Sequence, residues 1–222
     1  MQQYRGPVAR ARTERGTGRI DKRHAILAAA FTIFARDGYR AAGMDAIAAA
    51  AGVAKHTIYN HFGDKENLFR EAIGALADEA LARNLAAVDL LREQGDLAAL
   101  LTTTGMRLAE CYCDERSWAL RRLLNAELPT MPDLVDIVRD RAAGPVTDAL
   151  ASRLARLALA GRLELGVSPA VAAEQLAAML TGPLEARSHL GTTTLPATEL
   201  REVARNAAHT FLRAYGTRDV ND

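Results

Sequence analysis

Apolar positions recur every three to four residues along almost the whole chain, and the runs stop at glycine, proline or short polar clusters. From Ile20 through Ile26, Leu27, Ala30, Phe31, Ile33 and Phe34 they approach an i, i+3, i+4, i+7 stripe that ends at Gly38. Short helices are predicted over 44–51, closed by Gly52, and over 55–61, closed by Gly63. Asp64 suits the N-cap of a fourth helix, running to about residue 93. Asp96 can cap the next, "LAALLTTTGMRLAECYC", and another follows through "RSWALRRLLNAEL". "PTMP" at 129–132 is a firm break, with Pro132 suited to a first helical position. The helical pattern over 133–159 should kink or be interrupted at Gly144–Pro145. "GRLELGV" reads as a loop, Ser168 and Pro169 open a helix to about residue 190, and "GTTTLP" precedes a last helix from residue 197.

Composition strengthens this reading. Ala is abundant, Pro is scarce at 7 and β-branched runs are rare, so helix is favoured nearly everywhere. The fold class expected is all-α: a small N-terminal three-helix unit and a larger helical body. The boundaries expected are a flexible basic arm over 1–19, a first domain over 20–63 and a body over 64–222.

Charge separates the same regions. Residues 1–70 hold 12 Lys/Arg against 6 Asp/Glu, whereas residues 71–222 hold 16 against 21, beneath an overall charge of +1. A basic first third suggests that one end meets a polyanion. Cys111 and Cys113, two apart on a helix, point in different directions and do not pair, which suits a reducing cytoplasm. No segment is long and apolar enough for a membrane span, and the N-terminus lacks the apolar core of a secretory signal.

One stretch carries unusual chemistry. "VAKHTIYNHFGDKENLF" concentrates Lys55, His56, Thr57, Tyr59, Asn60, His61 and Phe62 within a few positions of an otherwise Ala- and Leu-rich chain. The preceding helix has small Ala48 where two helices must approach, and Gly52 where the turn needs positive φ. Ile47, Ala51, Val53 and Ile58 stand where apolar contacts must lock the pair. This is the spacing of a helix-turn-helix. On such a helix Lys55 can neutralise a phosphate, and Tyr59 and His61 can donate to phosphate oxygens. Asn60 can bond adenine in two places, and Thr57 can touch a thymine methyl or a phosphate. Lys65 opens the following helix, where backbone N–H groups also attract phosphate. Phe62 is the structural member of the set.

"GYRAAGMDAIAAAAGVAKHTIYNHFGDKENLF" resembles the DNA-binding domain of the TetR (tetracycline-repressor-like) family. The likeness rests on Gly38–Tyr39, on Ile47–Ala48 with Ala51–Gly52–Val53, and on Lys55, Thr57, Tyr59, His61, Phe62, Lys65 and Leu68. It covers about residues 20–70. Gly43 stands where the family usually has a Ser or Thr cap, and His56 where it often has a small residue, so His56 is a candidate base reader. The resemblance implies a homodimeric regulator, a repressor that binds a palindromic operator in double-stranded DNA and releases it for a small-molecule effector.

It also implies an effector pocket between helices of the body. Candidate lining residues are Met106, Tyr112, Trp118 and Met131, with Arg122 and Asn125, beside Arg107 and Glu127, as polar groups. With four aromatics beyond residue 70, the effector expected is largely apolar. A four-helix dimer interface is implied for Ala172, Leu176, Met179, Leu180 and Leu184, with Val203, Ala207 and Phe211. The rival readings are a sequence-tolerant architectural DNA binder and an all-α enzyme. Against the enzyme stand the absence of any nucleotide-binding, serine-hydrolase or zinc-protease motif and a total of four serines. No cofactor and no metal site are expected.

Overall fold

The computed structural model describes residues 8–217, with side chains described from Ile20 onward. Among these residues the chain forms ten α-helices and one π-helical turn, with no strand beyond an isolated bridge between Leu163 and Gly216. It divides into two compact units, Met1–Ala75 and Leu76–Asp222. The sequence reading placed the limit at 63/64, before the fourth helix; the compact units divide inside that helix.

Three helices and the start of a fourth build the first unit: α1 (Val8–Ala41), α2 (Met44–Ala51), α3 (Lys55–Phe62) and the first turns of α4 (Lys65–Val88). The helical backbone of α1 begins at Val8, well before the expected start at Ile20. Arg5, and the side chains of Arg10, Arg12, Arg15 and Arg19 expected in a basic arm, lie outside the described residues. Ile20 is 59% exposed, so the buried stripe starts at Ile26. Gly38, at φ 76°, kinks the end of α1. Ile26, Phe34, Ile47, Ile58, Leu68 and Phe69 are fully buried. Each side chain so buried stabilises the unit by roughly 1.5–3 kcal/mol relative to exposure. The Phe34 and Phe69 rings meet edge to face at 4.8 Å.

The second unit continues with α5 (Leu97–Tyr112), α6 (Glu115–Glu127), α7 (Leu134–Val138), a π turn (Arg139–Ala143), α8 (Gly144–Leu159), α9 (Pro169–Arg187) and α10 (Ala197–Tyr215). Asp96, Asp114 and Ser168 cap α5, α6 and α9 with side-chain oxygens. The interruption expected at Gly144–Pro145 is this π turn. Pro145 has no N–H to offer the helix ladder, and a Cβ on Gly144 would lie 3.1 Å from the Arg139 carbonyl oxygen. Pro132 falls ahead of α7 rather than at its first position. Gly105 lets α5 approach α10, since a Cβ there would come within 3.3 Å of Ala204 and Leu180.

Apart from Met179, the residues expected at a dimer interface are buried within the chain itself. Ala172, Leu176 and Phe211 belong to one core cluster, and Leu180, Leu184, Val203 and Ala207 to another. Met179 packs against both clusters. None of the seven clustered residues is more than 4% exposed, so their side chains are spent inside the chain and are not offered to a partner. The outward positions of α9 include Val171, Glu174, Gln175, Ala178, Gly182 and Ala186, and those of α10 include Arg201, Arg205, His209 and Arg213.

Candidate nucleic-acid interface and internal cavity

The turn between α2 and α3 follows from four backbone atoms. Gly52 adopts φ 65°, its N–H bonds the Ala49 carbonyl at 3.2 Å, and the Val53 N–H reaches back to Ala48 at 3.0 Å. This paired arrangement satisfies the last carbonyls of α2 and stops it abruptly, so that α3 departs at a new angle. Gly43 begins α2 in an extended conformation without a side-chain cap. Asp64 caps α4 by accepting from the Asn67 N–H at 2.7 Å, and the Asn67 side chain ties back to the Phe62 carbonyl. Helices α3 and α4 are thereby fastened at their junction.

With α3 held at both ends, its eight residues divide by face. Ile58 and Phe62 are buried, at 0% and 3% exposure, and anchor the inner side. Lys55, His56, Tyr59 and Asn60, at i, i+1, i+4 and i+5, form one exposed outer face. Thr57 and His61 sit half-buried at its margins. The Arg23 guanidinium lies 5.5 Å from the centre of the Phe62 ring and pairs with Glu71 at 2.8 Å, closing the inner side.

The two lysines are already occupied. Lys55 pairs with Asp45 of α2 at 2.9 Å, and this hydrogen bond and charge raise the ammonium above its ordinary value. Lys65 donates to the Arg40 carbonyl at 3.1 Å while its ammonium lies 4.9 Å from the Tyr39 ring centre. An ammonium carries three N–H donors, so both can still meet a phosphate.

In the second unit a cavity of ≈ 340 Å³ opens between α4, α5, α6, the α7–π turn segment, α8 and α9. Its wall is mostly aliphatic, with Leu108, Leu120, Leu124, Val146, Leu180 and Leu184 prominent. Tyr112 is the expected pocket residue that does line it. Met106, Trp118, Arg122, Asn125 and Met131 do not line it. Met106 packs into the core cluster of α9 and α10, and Met131 is buried away from the cavity. Arg122 and Asn125 are exposed on the opposite side of α6, where Arg122 donates to the Gly191 carbonyl. Trp118 is covered by Gly191: a Cβ there would fall 2.1 Å from the indole.

The decisive polar residue of the wall, Arg121, was missed in the sequence. Its guanidinium carbon lies 3.9 Å from the Tyr112 ring centre and 3.8 Å from that of Trp118. One end donates to the Tyr112 carbonyl, while Nε is buried without a hydrogen-bond partner. Burial lowers the guanidinium from its ordinary value. The Tyr112 hydroxyl donates a hydrogen bond to Glu185 at 2.5 Å, and burial together with that bond pushes the phenol up. The periodicity held a signal: Ser117, Leu120, Arg121 and Leu124 follow i, i+3, i+4, i+7 along α6, and all four line the cavity.

Cys111 and Cys113 are free, and burial raises both thiols, Cys113 to about 11. Burial thus disfavours the reactive thiolate at both positions. Among the described residues there is no His, Cys, Asp and Glu cluster fit for a metal ion, and no helix long and apolar enough to cross a membrane.

Comparison with known proteins places both units. Residues 26–72 match the family described as bacterial regulatory proteins, tetR family, and residues 99–217 match the AefR-like transcriptional repressor C-terminal domain. A solved structure assigned to the TetR-family transcriptional regulators, from Mesorhizobium loti MAFF303099, superposes with a TM-score of 0.83 at 30% identity, covering 90% of this chain and 98% of its own. The DNA-binding transcriptional repressor TetR of Mycobacteroides abscessus is 29% identical over 179 residues, 72% of this chain and 84% of its own length. The uncharacterized HTH-type transcriptional regulator YhgD of Bacillus subtilis (strain 168) is 42% identical over 73 residues. That match takes in 30% of this chain, which thus spans little more than a third, 38%, of the relative's length.

Proposed function

The chain belongs to the TetR family of bacterial transcriptional regulators, and on that premise we propose that it is a homodimeric repressor released from its operator by a small, largely apolar effector. Regulators of this family bind DNA as dimers and respond to small molecules. The observation that carries the reading is the division of α3. Two buried anchors, Ile58 and Phe62, oppose a single exposed face of Lys55, His56, Tyr59 and Asn60.

On this reading α3 enters the major groove. Lys55, Tyr59, His61 and Lys65 hold phosphates, and His56, Thr57 and Asn60 face base edges. Two such helices in a dimer read half-sites about 34–36 Å apart, which makes the operator palindromic. The second subunit packs on the outward faces of α9 and α10, where Ala178, Gly182 and Ala186 allow close helix approach. The effector occupies the cavity. It shifts the dimer by whatever affinity difference it has for the DNA-bound and released states, typically about 1–3 kcal/mol.

Selection of binding sites from a random duplex pool tests this, with the oligomeric state measured in parallel. A two-fold symmetric consensus bound by a dimer is expected. A monomer, or a pool with no enriched sequence, would contradict the proposal and favour a sequence-tolerant architectural binder.

A further inference from the structure

The cavity wall contains one charged side chain, Arg121. No carboxylate lies within ion-pair reach of it among the described residues. The two carboxylates nearest to it favour its charge from a distance but are engaged elsewhere. Asp114 is held by Arg83 at 2.8 Å and by the Ser117 N–H at 2.8 Å, and Glu185 accepts the Tyr112 hydroxyl. The other polar groups of the wall separate into two kinds. Ser117 and Thr147 spend their hydroxyls on the backbone carbonyls of Cys111 and Ala143. Asn84 and Thr181 also line the cavity and make no hydrogen bond among the described residues.

A half-buried cation with two aromatic rings against it and a buried, orphaned Nε donor is costly in an apolar wall. Packing on Tyr112 and Trp118 offsets part of that cost but supplies no counter-charge. A negative group entering the cavity would supply it, in mostly apolar surroundings where water screens less than at an open surface. The rest of the wall limits the body of the ligand. Tyr112 is the one aromatic residue in the lining, and Arg121 already lies against its ring, so the wall has little to stack on a flat aromatic system. The volume is at the small end of the range for small-molecule sites, and the surface is that of branched aliphatic side chains.

We propose that the cavity takes an aliphatic monocarboxylate, with its carboxylate against the Arg121 guanidinium and its chain along Leu120, Leu124, Val146, Leu180 and Leu184. This rests on the reading of the cavity as the effector site and adds to it the charge and chemical class of the ligand. Asn84 and Thr181 are free to bond a carboxylate oxygen or a polar substituent on the chain.

The test compares three probes of one chain length, dodecanoate, dodecanol and dodecylamine, each kept below its micellar concentration, on the full-length protein. Trp118 is the only tryptophan and lies against Arg121, so its emission reports events at the guanidinium. Release of fluorescent operator DNA gives a second readout. Dodecanoate is expected to bind about tenfold or more tighter than dodecanol, the scale of one charge-assisted hydrogen bond, with dodecylamine weakest. In Arg121→Met the acid should bind no better than the alcohol, whereas Arg121→Lys should keep the preference. Circular dichroism and operator binding establish that each variant is folded. If Arg121→Met does not fold, the wild-type ranking and Arg121→Lys decide the matter.

Equal binding of alcohol or amine to the wild type, or a persisting acid preference in folded Arg121→Met, would overturn the proposal while leaving the cavity as an effector site. If none of the three probes binds, the proposal falls together with the cavity reading.

Discussion

Lys55 and Arg121 are both cations that the account assigns to an anion, yet the two units hold them in opposite ways. Lys55 stands in solvent, paired with Asp45, and its charge is reinforced by that neighbour. Arg121 lies in an apolar wall against two rings, without a carboxylate, and burial works against its charge. The exposed pair gains little from its contact, because water screens it and holding two long side chains costs entropy. Lys55 can therefore exchange Asp45 for a phosphate at little cost. Arg121 is held in place before any ligand arrives and stands to gain more from one. The first arrangement suits a polyanion gripped by many weak contacts, the second a single anion recognised by one strong contact.

The anchors beneath the two sites give the largest effects. Phe62→Ala should cost about 3–5 kcal/mol of first-unit stability and abolish operator binding, as followed by thermal unfolding and fluorescence anisotropy. Retention of operator binding would show that α3 is not held by its buried face. Gly191→Ala strikes the second unit, where the new methyl meets the Trp118 ring at a backbone with φ +79°. A loss of about 1–3 kcal/mol is expected, with a shifted Trp118 emission, and DNA affinity measured below the melting range should change less than ligand binding.

Charge changes on the DNA face come next. Lys55→Ala should leave the melting temperature unchanged and weaken binding to all sequences alike. Its salt dependence should become shallower by about one phosphate contact, read from binding titrations at several salt concentrations. The smallest effect expected is from Asp45→Asn, which frees Lys55 and removes a negative charge beside the DNA. Operator affinity should rise modestly, with the gain fading at high salt. A loss of affinity would show that Asp45 is needed to position Lys55 rather than competing for it.

The two sites differed as much in how well the sequence disclosed them. The DNA face is one eight-residue helix whose positions follow directly from a 3.6-residue period, and its end signals, Gly52, Gly63 and Asp64, act on their own neighbours. The helices were legible for the same reason, except where tertiary packing set a boundary: α4 ends at Val88 rather than near residue 93, and Leu91 beyond it is fully packed in the core. The cavity draws on six α-helices and the π turn, so no local spacing marks it. Arg122 stands one helical step from Arg121, and Trp118 is covered by Gly191, so neither lines the wall. The residues expected at the interface pose a different physical problem. A stripe such as Leu176, Leu180 and Leu184 has one appearance whether it is buried within a chain or between two, and here it is spent within one.

The central claim is that the exposed face of α3 reads sequence, and it is tested most directly through His56 and Asn60. Affinities of the wild type, His56→Ala and Asn60→Ala should be measured at one salt concentration for the selected operator and for its single-base variants. The account predicts that each substitution erases discrimination at particular symmetric positions of the two half-sites, by about 1–3 kcal/mol per contact, while nonspecific binding stays unchanged. Unaltered base preferences in both variants would contradict it.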